Sequence, residues 1–424
     1  MAILTFDQSE SRAKPRRPLG VTAKRRLRKA GLLASAGVLA IPLLLEESLL
    51  PLIWRQTLST SMLDHGPWAL GLSVVAGALA VGGFGFARRT AIAKPAQADI
   101  DRALEIVARY PNAAAGLVRL GDKSLLFSEC GEGFIMYGRQ NRAMIALFDP
   151  VGPQHLWAHL TRRFMDVARE QGCRAVFYQV SPAFLPIAVE TNCKVLKLGE
   201  QAVIDLSNFS LAGGRWLNLR RAINRAERDG LTFEMVAIEQ VAAMLPDLEL
   251  VSDAWLATQS AGEKGFSLGV FRPDYVTAGP VAVIRLDGKI VAFANILTQA
   301  SDGDAFIDLM RHVPGVHRGV MDLLFVRIME SLRDQGLRRL NLGMAPLAGL
   351  TQQGKAPLWN RIGAQIFQKG ERFYNFRGVR EFKSKFNPQW EPRYLVAPGI
   401  GFPAGALFDV TLLIGGGLKS MLKK

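Results

Sequence analysis

Residues 306–332, FIDLMRHVPGVHRGVMDLLFVRIMESL, set an acid (Asp308), two basic side chains (Arg311 and Arg318) and two glycines (Gly315 and Gly319) between a strand-like run and a helix-like one. Backbone N–H groups of such a loop, with the first turn of the helix behind it, make a site for an anion. An anionic or acyl-carrying substrate is the chemistry this arrangement could hold. A second basic feature lies upstream in GGRWLNLRRAINRAERDG, residues 213–230. Trp216, Leu219, Ile223 and Ala226 fall near one helical face, and Arg221, Arg225 and Arg228 recur at spacings of four and three on another. That stripe suits a phosphate backbone, and a solvated helix face would read the same way. His155 and His159, four apart on a predicted helix, could share a metal, but no third ligand accompanies them, and the sequence predicts no metal site. G-x-S-x-G, H-E-x-x-H and G-x-x-x-x-G-K-[ST] are all missing, which disfavours the common serine hydrolases, zinc peptidases and P-loop NTPases.

The elements that must position these residues follow an α/β pattern from about residue 96. ADIDRALEIVARY is spaced as a helix and stops at Pro111; SLLFSE, GFIMYGR and AMIALFDPV read as strands, LWAHLTRRFMDVAREQG as a helix, RAVFYQV as a strand. Ser181-Pro182 opens another helix, and QAVIDL is a strand. After the basic helix a second round begins. LTFEMVAI is a strand, 239–258 a helix, VAVIRLDGKIVAFANILT a hairpin turning at Asp287-Gly288, AFIDLMR a strand, 319–333 a helix and LRRLNLG a strand. Two similar small α/β domains are the expectation, covering 96–212 and 231–397, with the basic helix 213–230 between them.

The chain of 424 residues is 49% hydrophobic and 21% charged, enough to bury a large core and too apolar to be disordered. Its three cysteines, Cys130, Cys173 and Cys193, form no C-x-x-C pair and point to a reducing compartment. A formal charge of +15 favours polyanionic partners, nucleic acid or an anionic membrane face. The first 95 residues have a different character. Residues 66–87 form an uncharged run of bilayer length, and 31–53 form a second apolar stretch interrupted by Glu46 and Glu47. Basic residues crowd the segment before the first run and follow the second as Arg88, Arg89 and Lys94, while the intervening loop carries only Arg55 against Glu46, Glu47 and Asp64. The positive-inside rule then keeps both ends of this hairpin cytoplasmic, with the rest of the chain facing the cytosol beside anionic lipid. Residues 398–424 combine an apolar stretch with a basic end and are expected either to lie on the bilayer surface or to fray.

The segments KLGEQAVIDLSNFSL, NLRRAINRAERDG, IDLMRH, GVMDLLFV, NLGMAPLAGL, LWNRIG and GERFYNFRGVREFKSKFNPQWEPRYL follow one another in this order. Together, over roughly residues 100–397, they resemble the C-terminal catalytic region of the lysylphosphatidylglycerol synthases, the multiple peptide resistance factor family. The resemblance implies an α/β (α+β) fold of tandem GNAT-like acyltransferase domains after an N-terminal two-helix membrane anchor. It also implies transfer of an amino acid, lysine first among the options, from aminoacyl-tRNA to phosphatidylglycerol at the bacterial cytoplasmic membrane. One ester is exchanged for another, so no cofactor is expected and catalysis rests on alignment and charge stabilisation. Many members carry a multi-span flippase region and some a lysyl-tRNA synthetase domain; neither is expected in this sequence, so lipid export would be absent or done by another protein such as a separate flippase.

The resemblance assigns Asp308 to the substrate ammonium, Arg311 to a phosphate or the developing oxyanion, and Lys383 to the attacking hydroxyl or the oxyanion. Glu371, Arg372, Tyr374 and Lys385 would complete the pocket with Asn341, and Arg220, Arg221, Arg225 and Arg228 would meet tRNA. Two other readings stand beside this one. A coenzyme A-dependent GNAT enzyme would use an [RQ]-x-x-G-x-[GA] loop, which Arg311, Gly315, Arg318 and Gly319 only loosely approximate. A non-catalytic, membrane-tethered RNA-binding protein would share the basic helix and need no acyl site.

Overall fold

The computed structural model describes residues 94–110, 112–259, 263–298, 303–350, 376–399 and 403–416. The proposed spans at 31–53 and 66–87 therefore lie outside the described residues, as do Glu371, Arg372 and Tyr374. Among the described residues no helix is long and apolar enough to cross a membrane. The described residues all fall within one compact unit.

Among the described residues the α-helices longer than four residues are α1 (Gln97–Arg109), α2 (Trp157–Glu170), α3 (Leu185–Glu190), α4 (Leu217–Arg228), α5 (Ile238–Leu256), α6 (Val320–Asp334), α7 (Phe376–Ser384) and α8 (Ala404–Ile414), and a single α-turn, Pro273–Val276, carries Tyr275. Their faces follow the sequence pattern. In α1, Ile100, Ala103, Ile106 and Val107 are buried, and in α4 Leu219, Ile223 and Ala226, each at spacings of three and four. Ser181 starts the turn before α3 by accepting from the Ala183 N–H at 3.2 Å.

The strands are β1 (Ser124–Phe127), β2 (Phe134–Gln140), β3 (Ala143–Leu147), β4 (Arg174–Val180), β5 (Cys193–Asp205), β6 (Thr232–Val236), β7 (Val281–Leu286), β8 (Lys289–Thr298), β9 (Asp304–His312), β10 (Arg339–Pro346) and β11 (Gln389–Pro398). All join one mixed sheet in the order β1-β2-β3-β4-β11-β5-β10-β9-β8-β7-β6. Only the β3–β4 and β9–β10 pairs are parallel. The β7–β8 hairpin turns where expected, with Asp287 and Gly288 both at positive φ (50° and 78°), the backbone a two-residue turn requires.

The middle of the sheet differs from the sequence pattern. β5 begins at Cys193, well before QAVIDL, and pairs antiparallel with β11 from Cys193–Pro398 to Val203–Gln389. QWEPRYLVAP carries two prolines, a composition that argues against a central strand. Pro392 is accommodated next to a register shift at Arg393/Tyr394. Each half thus pairs its last strand with the other half: β11 lies against β4, and β5 against β10.

One apolar layer, including Val107, Leu117, Tyr275, Phe293 and Val410, runs along one face of the sheet across both halves. The opposite face carries two separate clusters, one containing α4 and α6 residues, the other α2 and α3 residues. Fraying, one of the two expectations for the C-terminal segment, does not hold for its described helix. Residues 404–414 form α8, which buries Ala406, Asp409, Val410 and Leu412 and packs on β2 and β3 instead of fraying.

Candidate functional site

Asp308 and Arg311 lie three apart on β9, a spacing that on a regular strand puts side chains on opposite faces. The register against β8 is irregular here: Ala294 faces Met310 and Ile296 faces Ile307, so Asn295 alone opposes Asp308 and Leu309. This bulge is held by the Asn295 side-chain oxygen, which accepts from the Leu309 N–H at 2.7 Å. An extra residue reverses the alternation, and both Asp308 and Arg311 reach the α5 side of the sheet.

Asp308 is buried. Its Oδ1 accepts from the Gly269 N–H at 2.9 Å and its Oδ2 from the Tyr275 hydroxyl at 2.6 Å. Burial pushes its carboxyl above the usual range, against the opposing pull of those two bonds and of the charges on Lys123 and Arg311. A side chain at Gly269 would collide with the Asp308 carboxylate, so glycine is required there. Lys123 comes from the other half of the chain. It is buried, donates to the Leu117 carbonyl at 3.2 Å and meets Asp122 at 2.5 Å, and burial lowers its pKa.

Arg311 is also enclosed. Its guanidinium donates to the Ser252 hydroxyl on α5 and to Glu263, and lies over the rings of Trp255 (5.3 Å) and Phe271 (5.9 Å). Glu263 in turn accepts from the Phe271 N–H at 2.8 Å. Loop 263–271 is therefore tied to β9 at both its ends.

β9 and β10 pair only from Asp304–Arg339 to Phe306–Asn341, and then part. A second irregularity follows at once: Asn341 faces Val203 and Met344 faces Gln201, so Leu342 and Gly343 oppose Ala202 alone. Asn341 shapes this bend, its side-chain oxygen accepting from the Gly343 N–H at 2.8 Å, with Gly343 at φ +80°. Lys383 of α7 reaches this bend. Its Nζ donates to the Gly343 and Met344 carbonyls, both at 3.1 Å, and burial pushes its pKa down to about 7. A Cβ at Gly343 would stand 3.7 Å from that nitrogen and 3.8 Å from the Phe306 ring. A lysine that loses its proton near neutrality, set against this bend, can take a proton from a hydroxyl or, when charged, steady an oxyanion.

Lys385 takes a different path. Its Nζ bonds both oxygens of Asp322, at 2.8 and 3.1 Å. Asp322 is buried in the first turn of α6, so a phosphate approaching that helix end would meet a carboxylate. The loop before α6 has its own internal partners: His317 accepts from the Gly319 N–H at 3.0 Å and bonds Asp229 at 3.1 Å.

On α4, Arg221, Arg225 and Arg228 are exposed, and Arg221 and Arg228 line an open groove with Asn224 and Glu227. Arg225 lies 3.5 Å from Asp229. Arg220 is set apart, donating to the Leu211 and Gly213 carbonyls of its own loop. His155 sits in the 3-10 turn before α2 and His159 within α2, both exposed. No cluster of three or more potential metal ligands occurs among the described residues. Sequence reasoning missed Lys123, Ser252, Glu263, Gly269 and Tyr275, which lie far from Asp308 in sequence and carry no motif.

Comparison with known proteins follows the same boundaries. Residues 104–397 match the family described as phosphatidylglycerol lysyltransferase, C-terminal. A phosphatidylglycerol lysyltransferase of Bacillus subtilis (strain 168) is 35% identical over 305 residues, covering 72% of this chain and 35% of that protein. Among solved structures, the C-terminal DUF2156 domain of an Agrobacterium fabrum protein is 48% identical with a TM-score of 0.69, and L-PGS from Bacillus licheniformis 33% identical with a TM-score of 0.66. Each covers 76% of this chain and 98% of its own. The chain belongs to the phosphatidylglycerol lysyltransferase C-terminal family. It spans about a third of the length of the curated relatives it matches, 35% of the Bacillus subtilis protein.

Proposed function

We propose that this chain transfers an amino acid, lysine, from aminoacyl-tRNA to phosphatidylglycerol at the cytoplasmic face of the bacterial membrane, through two GNAT-like halves of which the second is catalytic. The observation that carries the reading is Lys383, a buried lysine inside the region of family similarity whose Nζ is held against the Gly343 and Met344 carbonyls and whose pKa burial lowers. A glycerol hydroxyl of the lipid headgroup attacks the ester carbonyl of the aminoacyl-tRNA while neutral Lys383 accepts its proton. The tetrahedral intermediate collapses, the ribose hydroxyl of tRNA leaves with a proton returned from Lys383, and the amino acid is now esterified to the lipid. One ester bond breaks and one forms, so no nucleotide is consumed.

Asp308 has used one acceptor position on each oxygen within the chain and offers the remainder to the substrate ammonium. Arg311, surrounded by Ser252, Glu263, Trp255 and Phe271, holds the pocket wall, a positioning role in place of direct contact with an oxyanion. Asn341 shapes the bend that receives Lys383, and Lys385 neutralises Asp322. Arg221, Arg225 and Arg228 engage tRNA phosphates, with the basic N-terminal flanks keeping the domain at the anionic membrane face.

The test is lipid analysis of a host lacking aminoacylated lipids, expressing either this protein or its Lys383→Met variant. Positive-ion mass spectrometry of the phosphatidylglycerol fraction should show a new lysylated species with the first and none with the second. Well-expressed, membrane-inserted protein that yields no aminoacylated lipid would overturn the proposal.

A further inference from the structure

Helix α8 (Ala404–Ile414) lies beyond the family match, which ends at residue 397, yet it touches the loop that seats Asp308 and Arg311. Its anchor is Asp409, whose side chain is 5% exposed. Asp409 accepts from the Asn141 side-chain amide at 2.6 Å, at the β2–β3 turn, and is ion-paired with Arg174 at the start of β4. Gly405 gives the Arg174 guanidinium room to lie against the helix: a Cβ there would stand 2.9 Å from its nearest nitrogen. All these contacts belong to the first half of the chain.

The far end of α8 reaches the second half. The Ile414 carbonyl accepts from the Gly265 N–H at 3.1 Å. Leu413 and Phe266 converge over Gly138 of β2, where a Cβ would meet them at 2.9 and 3.0 Å. Phe266 itself is buried at φ +62°, a left-handed backbone that a phenylalanine adopts only when its surroundings enforce it. From there the loop runs directly through Gly269, which bonds Asp308, to Phe271, which bonds Glu263 and covers Arg311.

We propose that α8 is a positioning element of the acyl site: with Asp409 as its anchor on the first half, it holds loop 263–271 in the conformation that sets Asp308 and Arg311. The structural part of this inference stands on the contacts alone, and its catalytic consequence rests on the function proposed above. Asp409 acts through the loop and touches no substrate.

Hydrogen exchange of the full chain in detergent separates the two parts. In Asp409→Ala, the amides of Gly265, Ser267, Gly269 and Phe271 should exchange at least about tenfold faster, since hydrogen bonds to a buried charge are lost, while the β7–β8 hairpin keeps its rates. Asp409→Asn retains an acceptor for Arg174 and, after rotation of the Asn141 amide, a bond to it, and should fall between wild type and Asp409→Ala. The apparent KM for aminoacyl-tRNA should rise in Asp409→Ala by a larger factor than kcat falls. Wild-type exchange at Gly269 and Phe271 with α8 itself exchanging faster would overturn the proposal. Faster loop exchange in a protein whose wild type transfers no amino acid would support the strut and reject the function instead.

Discussion

Replacing Lys383 by Met should lower activity and raise stability together. The side chain stays similar in length, but the ammonium disappears from a buried site. The fall in pKa from the ordinary 10.5 to about 7 corresponds to a penalty on the charged form of about 4 kcal/mol near neutral pH. Against that gain, the Gly343 and Met344 carbonyls lose their donor, at a cost of about 1–3 kcal/mol. The variant should therefore be more stable by about 1–3 kcal/mol at pH 7 by denaturant or thermal unfolding.

The pH dependence has a fixed sign. Below the folded-state pKa both folded and unfolded chains carry the proton and the full penalty applies. Between about 7 and 10.5 the unfolded chain binds more protons, so the lysine's contribution to stability rises with pH, by about 1 kcal/mol from pH 7 to 8. Lys383→Met should lose that rise. Transfer of amino acid to phosphatidylglycerol, followed with charged tRNA and lipid micelles, should fall about 10²–10⁴-fold in the variant. In the wild type it should increase as pH passes upward through about 7, because the proton acceptor is the neutral amine. A decrease through that range would assign Lys383 to the oxyanion, and a variant within tenfold of wild type would refute a catalytic role for it.

Three further outcomes follow from the geometry. Gly269→Ala drives a methyl into the Asp308 carboxylate and should cost about 2–4 kcal/mol in unfolding measurements, through overpacking and a lost hydrogen bond. Replacing Arg221, Arg225 and Arg228 with Ala should weaken tRNA binding and reduce the slope of log K against log salt by about 2–3, whereas Arg220→Ala, which frees the Leu211 and Gly213 carbonyls, should mainly lower stability. An unchanged salt slope in the triple variant would sink the assignment to tRNA. Arg311→Met should destabilise the protein by about 1–3 kcal/mol, because Ser252 and the partly buried Glu263 lose their partner, and the loss should shrink when Glu263→Gln is added.

Much of this molecule could be read from the chain alone. Apolar spacing located α1, α4, α5 and α6 and the strands from β1 to β10, because one-sided burial imposes a period of 3.6 on a helix and of two on a strand. The Asp287-Gly288 turn was legible because few residues tolerate its backbone. Ordered motifs likewise named the family that the comparisons support. Tertiary structure decided what pattern cannot encode. A bulge opposite Asn295 turned Asp308 and Arg311 to one face, against the alternation their spacing implies. Proline-bearing β11 entered the centre of the sheet because the two halves exchange their last strands. Lys383 acquired its lowered pKa only on burial against the bend in β10, and Lys123 came to Asp308 from the other half of the chain. Periodicity reports which way a residue faces within its own element. Which groups lose water together is fixed only when distant elements close on one another, and that shared desolvation gives the site its chemistry.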